Sequence, residues 1–165
     1  MTEKMNKALY SFLDHYQIAY QSFSHPPVFT CEEADQMLPD MPGRKTKNLF
    51  LCDHKKNHHF LVSVAAQQAV DLKWLGAELG VKGLRFAPSA RLLHHLKLTP
   101  GSVTLLAAFN DAERRVSVVI DRYLWEAPAV QCHPLVNTET LVLPRAGLVR
   151  FFELTGHHPR IIDFA

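Results

Sequence analysis

Met5, Leu9, Phe12, Leu13 and Tyr16 recur at three- and four-residue intervals, so the chain opens on an amphipathic helix. An extended piece, Tyr20 to Ser24, follows and is closed by His25-Pro26-Pro27, whose prolines cannot continue a helix. Thr30 with Glu33 three places later forms a capping box, which predicts a short helix ending before the loop Pro39-Asp40-Met41-Pro42-Gly43. Two apolar runs of strand length, Asn48 to Cys52 and Phe60 to Val64, flank the polar link 53–57 and predict a hairpin. Asp71 is placed to cap a helix carrying Leu72, Leu75 and Leu79, with Gly80 as its stop. Leu84 to Ala87 reads as a short strand, and Ser89 as the cap of a helix carrying Leu92, Leu93 and Leu96. After Thr99-Pro100-Gly101-Ser102 a second hairpin is expected: Val103 to Phe109, a turn at Asn110-Asp111, then Val116 to Asp121. A strand near Leu141 to Leu143 precedes a last helix with Leu148, Phe151 and Phe152 on its apolar side and Gly156 at its end. Hairpin-joined strands with helices between the pairs predict an α+β domain on a mixed sheet.

The 165 residues hold no repeat, low-complexity segment or linker, so one domain, 1–165, is expected. A hydrophobic content of 47% suits an ordinary globular core. No apolar run approaches the ~20 residues that cross a bilayer, and the first residues lack a signal-peptide pattern, so a soluble, cytoplasmic protein is expected. Cys31, Cys52 and Cys132 are too far apart for a metal knuckle and odd in number, which suits ordinary buried thiols.

Net charge is only +2, too little to point to nucleic acid by itself. Its distribution is more informative. Arg44, Lys45, Lys47, Lys55 and Lys56 stand against the single acid Asp53 between positions 44 and 56. Phosphates attract such an excess, although a solvated loop and hairpin tip would carry the same residues.

Three of the ten histidines' pairings are doublets, His58-His59, His94-His95 and His157-His158, and neighbours on a strand or helix point different ways. No HExxH helix, zinc-spaced cluster or G-x-S-x-G elbow is present, so neither a metal nor a serine nucleophile is expected. Two polar clusters lie in loops beside strands, where binding groups tend to be placed. One is Pro42-Gly43-Arg44-Lys45-Thr46-Lys47-Asn48-Leu49-Phe50-Leu51, with Lys47 at the start of a buried strand. The other is Gln131-Cys132-His133-Pro134-Leu135-Val136-Asn137-Thr138, with an imidazole, an amide and a hydroxyl on a segment stiffened by Pro134. The residues alone favour Lys47 as a solvated charge and His133 as a turn residue.

The same segments resemble the prolyl-tRNA editing (YbaK-like) domain family. The resemblance is carried by His25-Pro26-Pro27-Val28-Phe29-Thr30 with Glu32-Glu33-Ala34, by Thr46-Lys47-Asn48-Leu49-Phe50-Leu51, and by Leu84-Arg85-Phe86-Ala87. It continues in Pro100-Gly101-Ser102-Val103-Thr104 with Asn110-Asp111, in His133-Pro134-Leu135-Val136-Asn137-Thr138, and in Thr155-Gly156-His157. Each motif is weak alone; their order and spacing run almost the length of the chain. Within the family the chain looks most like the free-standing deacylases that act on Ala-tRNA(Pro).

The resemblance implies an α+β fold with a mixed, barrel-like sheet and flanking helices, no metal or other cofactor, and hydrolysis of an aminoacyl ester. Lys47 matches the functional lysine and Asn48 its neighbour. Gly101 opens the loop whose backbone holds the aminoacyl group and water, and His133 matches the pocket histidine. Val28, Phe29, Thr46, Phe50, Ser102, Val103, Thr104 and Asn137 are the expected pocket residues. Arg44, Lys45, Lys55 and Lys56 are the expected contacts to the tRNA acceptor end, with tRNA(Pro) as the implied tRNA and prolyl-tRNA synthetase or an elongation factor as transient partners. Two positions depart from the pattern: Leu105 stands where the family loop G-x-x-x-P ends in proline, and Glu139 where relatives tend to carry a small residue.

The expected chemistry is attack by water, positioned by the Gly101 loop and a ribose hydroxyl. Lys47 would bind the terminal phosphate or the developing oxyanion, and His133 would shape the pocket or orient the water. Two alternatives stay open at this point: the same hydrolysis on serine, cysteine or a non-protein amino acid, and an inactive module that binds tRNA or a synthetase.

Overall fold

Leu9 and Leu13, one turn apart on helix α1 (Thr2–His15), are fully buried, as the opening periodicity predicts. In this computed structural model, which describes residues 2–27, 32 and 40–164, the chain continues through strands β1 (Gln21–Ser24), β2 (Arg44–Cys52) and β3 (His59–Ala65). Helix α2 (Leu72–Leu79), strand β4 (Arg85–Phe86), helix α3 (Ser89–Leu96) and a 3-10 helix (Leu105–Asn110) follow. The last elements are β5 (Val116–Asp121), α4 (Arg122–Trp125), β6 (Ala129–Cys132), β7 (Glu139–Pro144), α5 (Arg145–Thr155) and β8 (Arg160–Ile162). The expected capping box at Thr30 and the pocket residues Val28 and Phe29 lie outside the described residues. None of the described helices is long and apolar enough to cross a membrane.

The strands form a mixed sheet in the order β1-β7-β6-β2-β3-β5-β8, with β4 beside β2. The first expected hairpin is β2–β3, antiparallel from Thr46 opposite Ala65 to Cys52 opposite His59. Alternation along it feeds two cores. Phe50 and Leu61 join a cluster with Leu9, Leu92, Leu106 and Phe151, while Leu51, Phe60, Val62 and Val64 join Leu75 and Ile162. Apolar side chains on both faces explain why these strands read as continuous apolar runs rather than alternating ones.

The second expected hairpin does not form. Residues 105–110 are a 3-10 helix, capped by the Thr104 hydroxyl accepting from the Leu106 N–H at 3.3 Å, and β5 pairs in parallel with β3 and β8 instead. Leu105, Leu106, Ala107 and Ala108 are all buried, so the run carries no periodicity to separate helix from strand. At α3 the expected Ser89 cap is also displaced. Pro88 holds the cap position with no side-chain bond, and its carbonyl accepts from Arg91 and Leu92. Asp71 and Gly80 behave as expected: Asp71 accepts from the Lys73 and Trp74 N–H groups, and Gly80 takes φ +71°.

Two of the family-like motifs meet in the fold. The Asp111 carboxylate receives the Arg115 and Val116 N–H groups at 3.0 and 2.9 Å and lies 2.9 Å from His157 Nε2, tying the start of β5 to the end of α5. Burial opposes ionisation of Asp111, but these bonds outweigh it and hold the carboxyl below its usual range.

Candidate active site

A break in the pairing along one edge of β2 organises the site. On the edge away from β3, β6 pairs in parallel only with Arg44 and Lys45, and β4 antiparallel only with Leu51 and Cys52. Between them, the stretch from Thr46 to Phe50 has no strand partner on that side among the described residues. Its recorded contacts there are the Thr46 hydroxyl donating to the Gln131 carbonyl at 2.7 Å and the Phe50 carbonyl accepting from Ala87. Extending the β2–β6 register two places beyond Lys45–Gln131 sets His133 level with Lys47. The strand pairing stops at Lys45–Gln131, so the edge from Thr46 to Phe50 is left without a strand beside it among the described residues.

Lys47 shares the β2 face of Leu49 and Leu51, and its Nζ donates to the Gln68 carbonyl at 2.5 Å. An ammonium has three donors, and this contact uses one while fixing the head group. Thr46, Asn48 and Phe50 face the other way. The Asn48 amide oxygen accepts from the buried Ser63 hydroxyl at 2.5 Å, which sets the orientation of the amide. Phe50 is 4% exposed and stacks on His59, so it serves the core rather than a pocket wall.

His133 follows directly on β6, and its Nδ1 lies 2.9 Å from the Glu139 carbonyl. A carbonyl only accepts, so Nδ1 carries the proton and Nε2 of the neutral ring is left as an acceptor. Burial, with a smaller contribution from His25, pushes the His133 pKa down, only partly offset by the Glu139 carbonyl, and this favours that neutral form. The His25 ring lies 6.3 Å from His133, its Nε2 2.8 Å from the Thr140 hydroxyl. No separate signal marked His25 in the sequence beyond its place in a proline-flanked motif.

The Gly101 loop is joined directly to this histidine. Gly101 takes φ +93°, a conformation that favours glycine, and the fully buried Thr104 donates its hydroxyl to the His133 carbonyl at 2.7 Å. Ser102 is half-buried, its N–H bonded to the Thr99 carbonyl, and Val103 packs on the core. Asn137 is half-buried in the turn before β7. The two departures also find their places. Leu105 is fully buried at the first position of the 3-10 helix, so hydrophobic burial and the Thr104 cap fix the loop end that proline would stiffen. Glu139 turns towards α1, where Tyr10 donates its hydroxyl to the carboxylate at 2.5 Å.

The basic segment is not one patch. β2 separates Arg44 and Lys45 from Lys55 and Lys56 at the hairpin tip, and nine strand residues span about 26 Å. The cations at the Arg44 end border a cleft of about 670 Å³ lined by Arg44, Lys45, the 65–68 segment, Asp121 and Tyr123. Gln68, which receives Lys47 Nζ, is among these residues. Among the described residues no group of three or more His, Cys, Asp or Glu is placed to hold a metal ion. Cys52 and Cys132 are buried free thiols, and burial pushes Cys132 up to about 12.

Residues 25–151 match the family model of the aminoacyl-tRNA editing domain. The prolyl-tRNA synthetase associated domain-containing protein 1 of Danio rerio is 40% identical over 162 residues, covering 97% of this chain and 88% of the relative. The prolyl-tRNA editing protein ProX of Acetoanaerobium sticklandii is 35% identical over 157 residues, 95% of this chain and 96% of its own. A crystal structure described as a proposed trans-editing enzyme for prolyl tRNA synthetase aligns with a TM-score of 0.71 at 17% identity, over 96% of this chain and 95% of that one, a likeness of fold. With the matched segment running from His25 through β2, the Gly101 loop and His133 into α5, the chain belongs to the aminoacyl-tRNA editing domain family.

Proposed function

We propose that the protein is a trans-editing deacylase that hydrolyses the ester of Ala-tRNA(Pro). The observation that supports this reading is the unpaired stretch of the β2 edge that holds Lys47, together with His133, the residue after β6, bonded to the Gly101 loop. The ProX relative is named a prolyl-tRNA editing protein, which supports an editing role on prolyl-tRNA. The logic of the substrate is physical. A pocket built for proline cannot exclude smaller alanine, because lost apolar contacts give only ~1–3 kcal/mol of discrimination, so a second site must remove the error.

The ester is already activated, and no protein nucleophile is required. Water attacks the carbonyl carbon, the ribose oxygen leaves with a proton, and alanine and tRNA are released. Lys47, held on Gln68, meets the terminal phosphate or the developing oxyanion. His133 presents Nε2 as an acceptor that orients the water, and the Gly101 backbone fixes the aminoacyl group. In this reading the chain, 1–165, acts as one editing domain in the cytoplasm on the acceptor end of tRNA(Pro), with prolyl-tRNA synthetase or an elongation factor as transient partners.

Deacylation of labelled Ala-tRNA(Pro), Ser-tRNA and Pro-tRNA(Pro) by wild type and Lys47→Ala tests the proposal. Loss of alanine alone, with the variant at least ~100-fold slower and still folded, is the expected result. Turnover of a different aminoacyl group would move the substrate and keep the chemistry. Tight tRNA binding with no turnover would make the protein a binding module.

A further inference from the structure

We infer that Arg44 and Tyr123 form a stacking platform for an unpaired base of the tRNA 3′ end, next to the aminoacylated nucleotide. This rests on the deacylase reading only in taking tRNA as the ligand.

Tyr123 is the second residue of α4 and belongs to none of the family-like motifs, yet its side chain is 54% exposed at the mouth of the 670 Å³ cleft. The Arg44 guanidinium lies over its ring, 3.7 Å from the centroid, and also donates to the Tyr123 carbonyl. That double contact joins the first residue of β2 to α4 and holds a planar cation over an aromatic ring at the surface. Stacking on aromatic rings and guanidinium planes is how proteins take hold of unpaired bases, since every base offers a π-face.

The surroundings fit the same ligand. The cleft carries Arg44 and Lys45 for phosphates and the Gln67 amide for sugar and base edges, while the Gln68 amide is engaged with the Ala69 and Phe164 carbonyls. Among its described lining residues Asp121 is the one acid, and it is 4% exposed and its carboxylate is engaged with the Tyr123 N–H. Gln68 connects the platform to the reaction centre: it lines the cleft with its neighbours while its carbonyl holds Lys47 Nζ. In this inference, a strand that meets Lys47 through its terminal phosphate runs along the Gln68 segment into the cleft that Tyr123 lines.

The experiment is fluorescence anisotropy with labelled, uncharged acceptor-stem RNA, with and without its unpaired 3′ end. Wild type, Tyr123→Ala and Tyr123→Phe are compared across a salt series, with melting curves confirming that each is folded. Tyr123→Ala should bind the full RNA roughly 5- to 100-fold more weakly, with an unchanged salt slope because no charge is removed. Tyr123→Phe should bind as wild type, and the effect should vanish on RNA lacking the unpaired end. Equal binding by Tyr123→Ala, or an equal loss on the trimmed duplex, would overturn the platform. The binding readout requires no ester, so an absence of deacylation in wild type would count against the hydrolase and leave this inference to its own data.

Discussion

The Thr104 hydroxyl donates to the His133 backbone carbonyl at 2.7 Å, so the Gly101 loop and the histidine segment are held as one unit although 29 residues separate them. Thr104 is fully buried, and the same oxygen accepts from the Leu106 N–H. Replacing it with valine keeps the shape and leaves a carbonyl and an amide unpaired. Thr104→Val should lose about 1–3 kcal/mol of stability. Its deacylation rate should fall beyond what the folded fraction explains, and Thr104→Ser should restore most of both. Urea titration and single-turnover rates on the same preparations check this. A valine variant with unchanged rate would show that the loop is positioned by other means.

Asp111 and His157 make a different kind of contact, buried at 4% and 3% side-chain exposure, and its role is in the fold. Asp111→Ala removes a carboxylate from two backbone N–H groups and an imidazole at once, and should cost about 3–5 kcal/mol. The activity of the molecules that remain folded should be close to wild type. A rate loss without a stability loss would place this pair in the chemistry instead.

Acid should destabilise the protein before its surface carboxylates titrate. His59 is 5% exposed, its ring centroid is 4.2 Å from that of His95, and Nε2 has no partner among the described residues. Burial first, then the His95 charge, pushes its pKa down to about 4. The ordinary value of an unfolded histidine is ~6.5, so the folded value is the lower one. The stability this neutral ring contributes is therefore complete above pH ~6.5 and is lost as pH falls towards about 4. Asp111, also held below its usual range, adds a loss of the same sign at lower pH. Thermal melts should show Tm dropping by roughly 2–8 °C between pH 7 and 5. His59→Phe should flatten that drop, and a pH-independent Tm in wild type would contradict the assignment.

The separation of the two basic groups by β2 gives an electrostatic prediction. Lys45→Glu should weaken binding of a short 3′-end oligonucleotide and flatten its salt dependence, whereas Lys55→Glu, about 26 Å away, should do neither. Equal effects of the two reversals on the short oligonucleotide would place its binding site elsewhere.

Much of the fold was legible wherever local chemistry and burial agreed. Asp71 and Gly80 bound α2, Gly156 stops α5, and the polar link 53–57 turns the β2–β3 hairpin, because caps and turns depend on residues a few places apart. The 105–110 run was not legible, since a segment buried on every side shows no period. β6 and β8, four and three residues long, are strands only because β7 and β2 supply partners for the first and β5 for the second. The site divides along the same line. The sequence brought forward Lys47, Gly101 and His133 through the family resemblance, while their spacing alone favoured plainer readings. Tertiary structure alone decided that Lys47 is held by Gln68, that Thr104 joins the loop to His133, that Glu139 is taken by Tyr10, and that Tyr123 stands under Arg44. Each of these depends on side chains from segments distant in sequence meeting in space, and no local pattern encodes such a meeting.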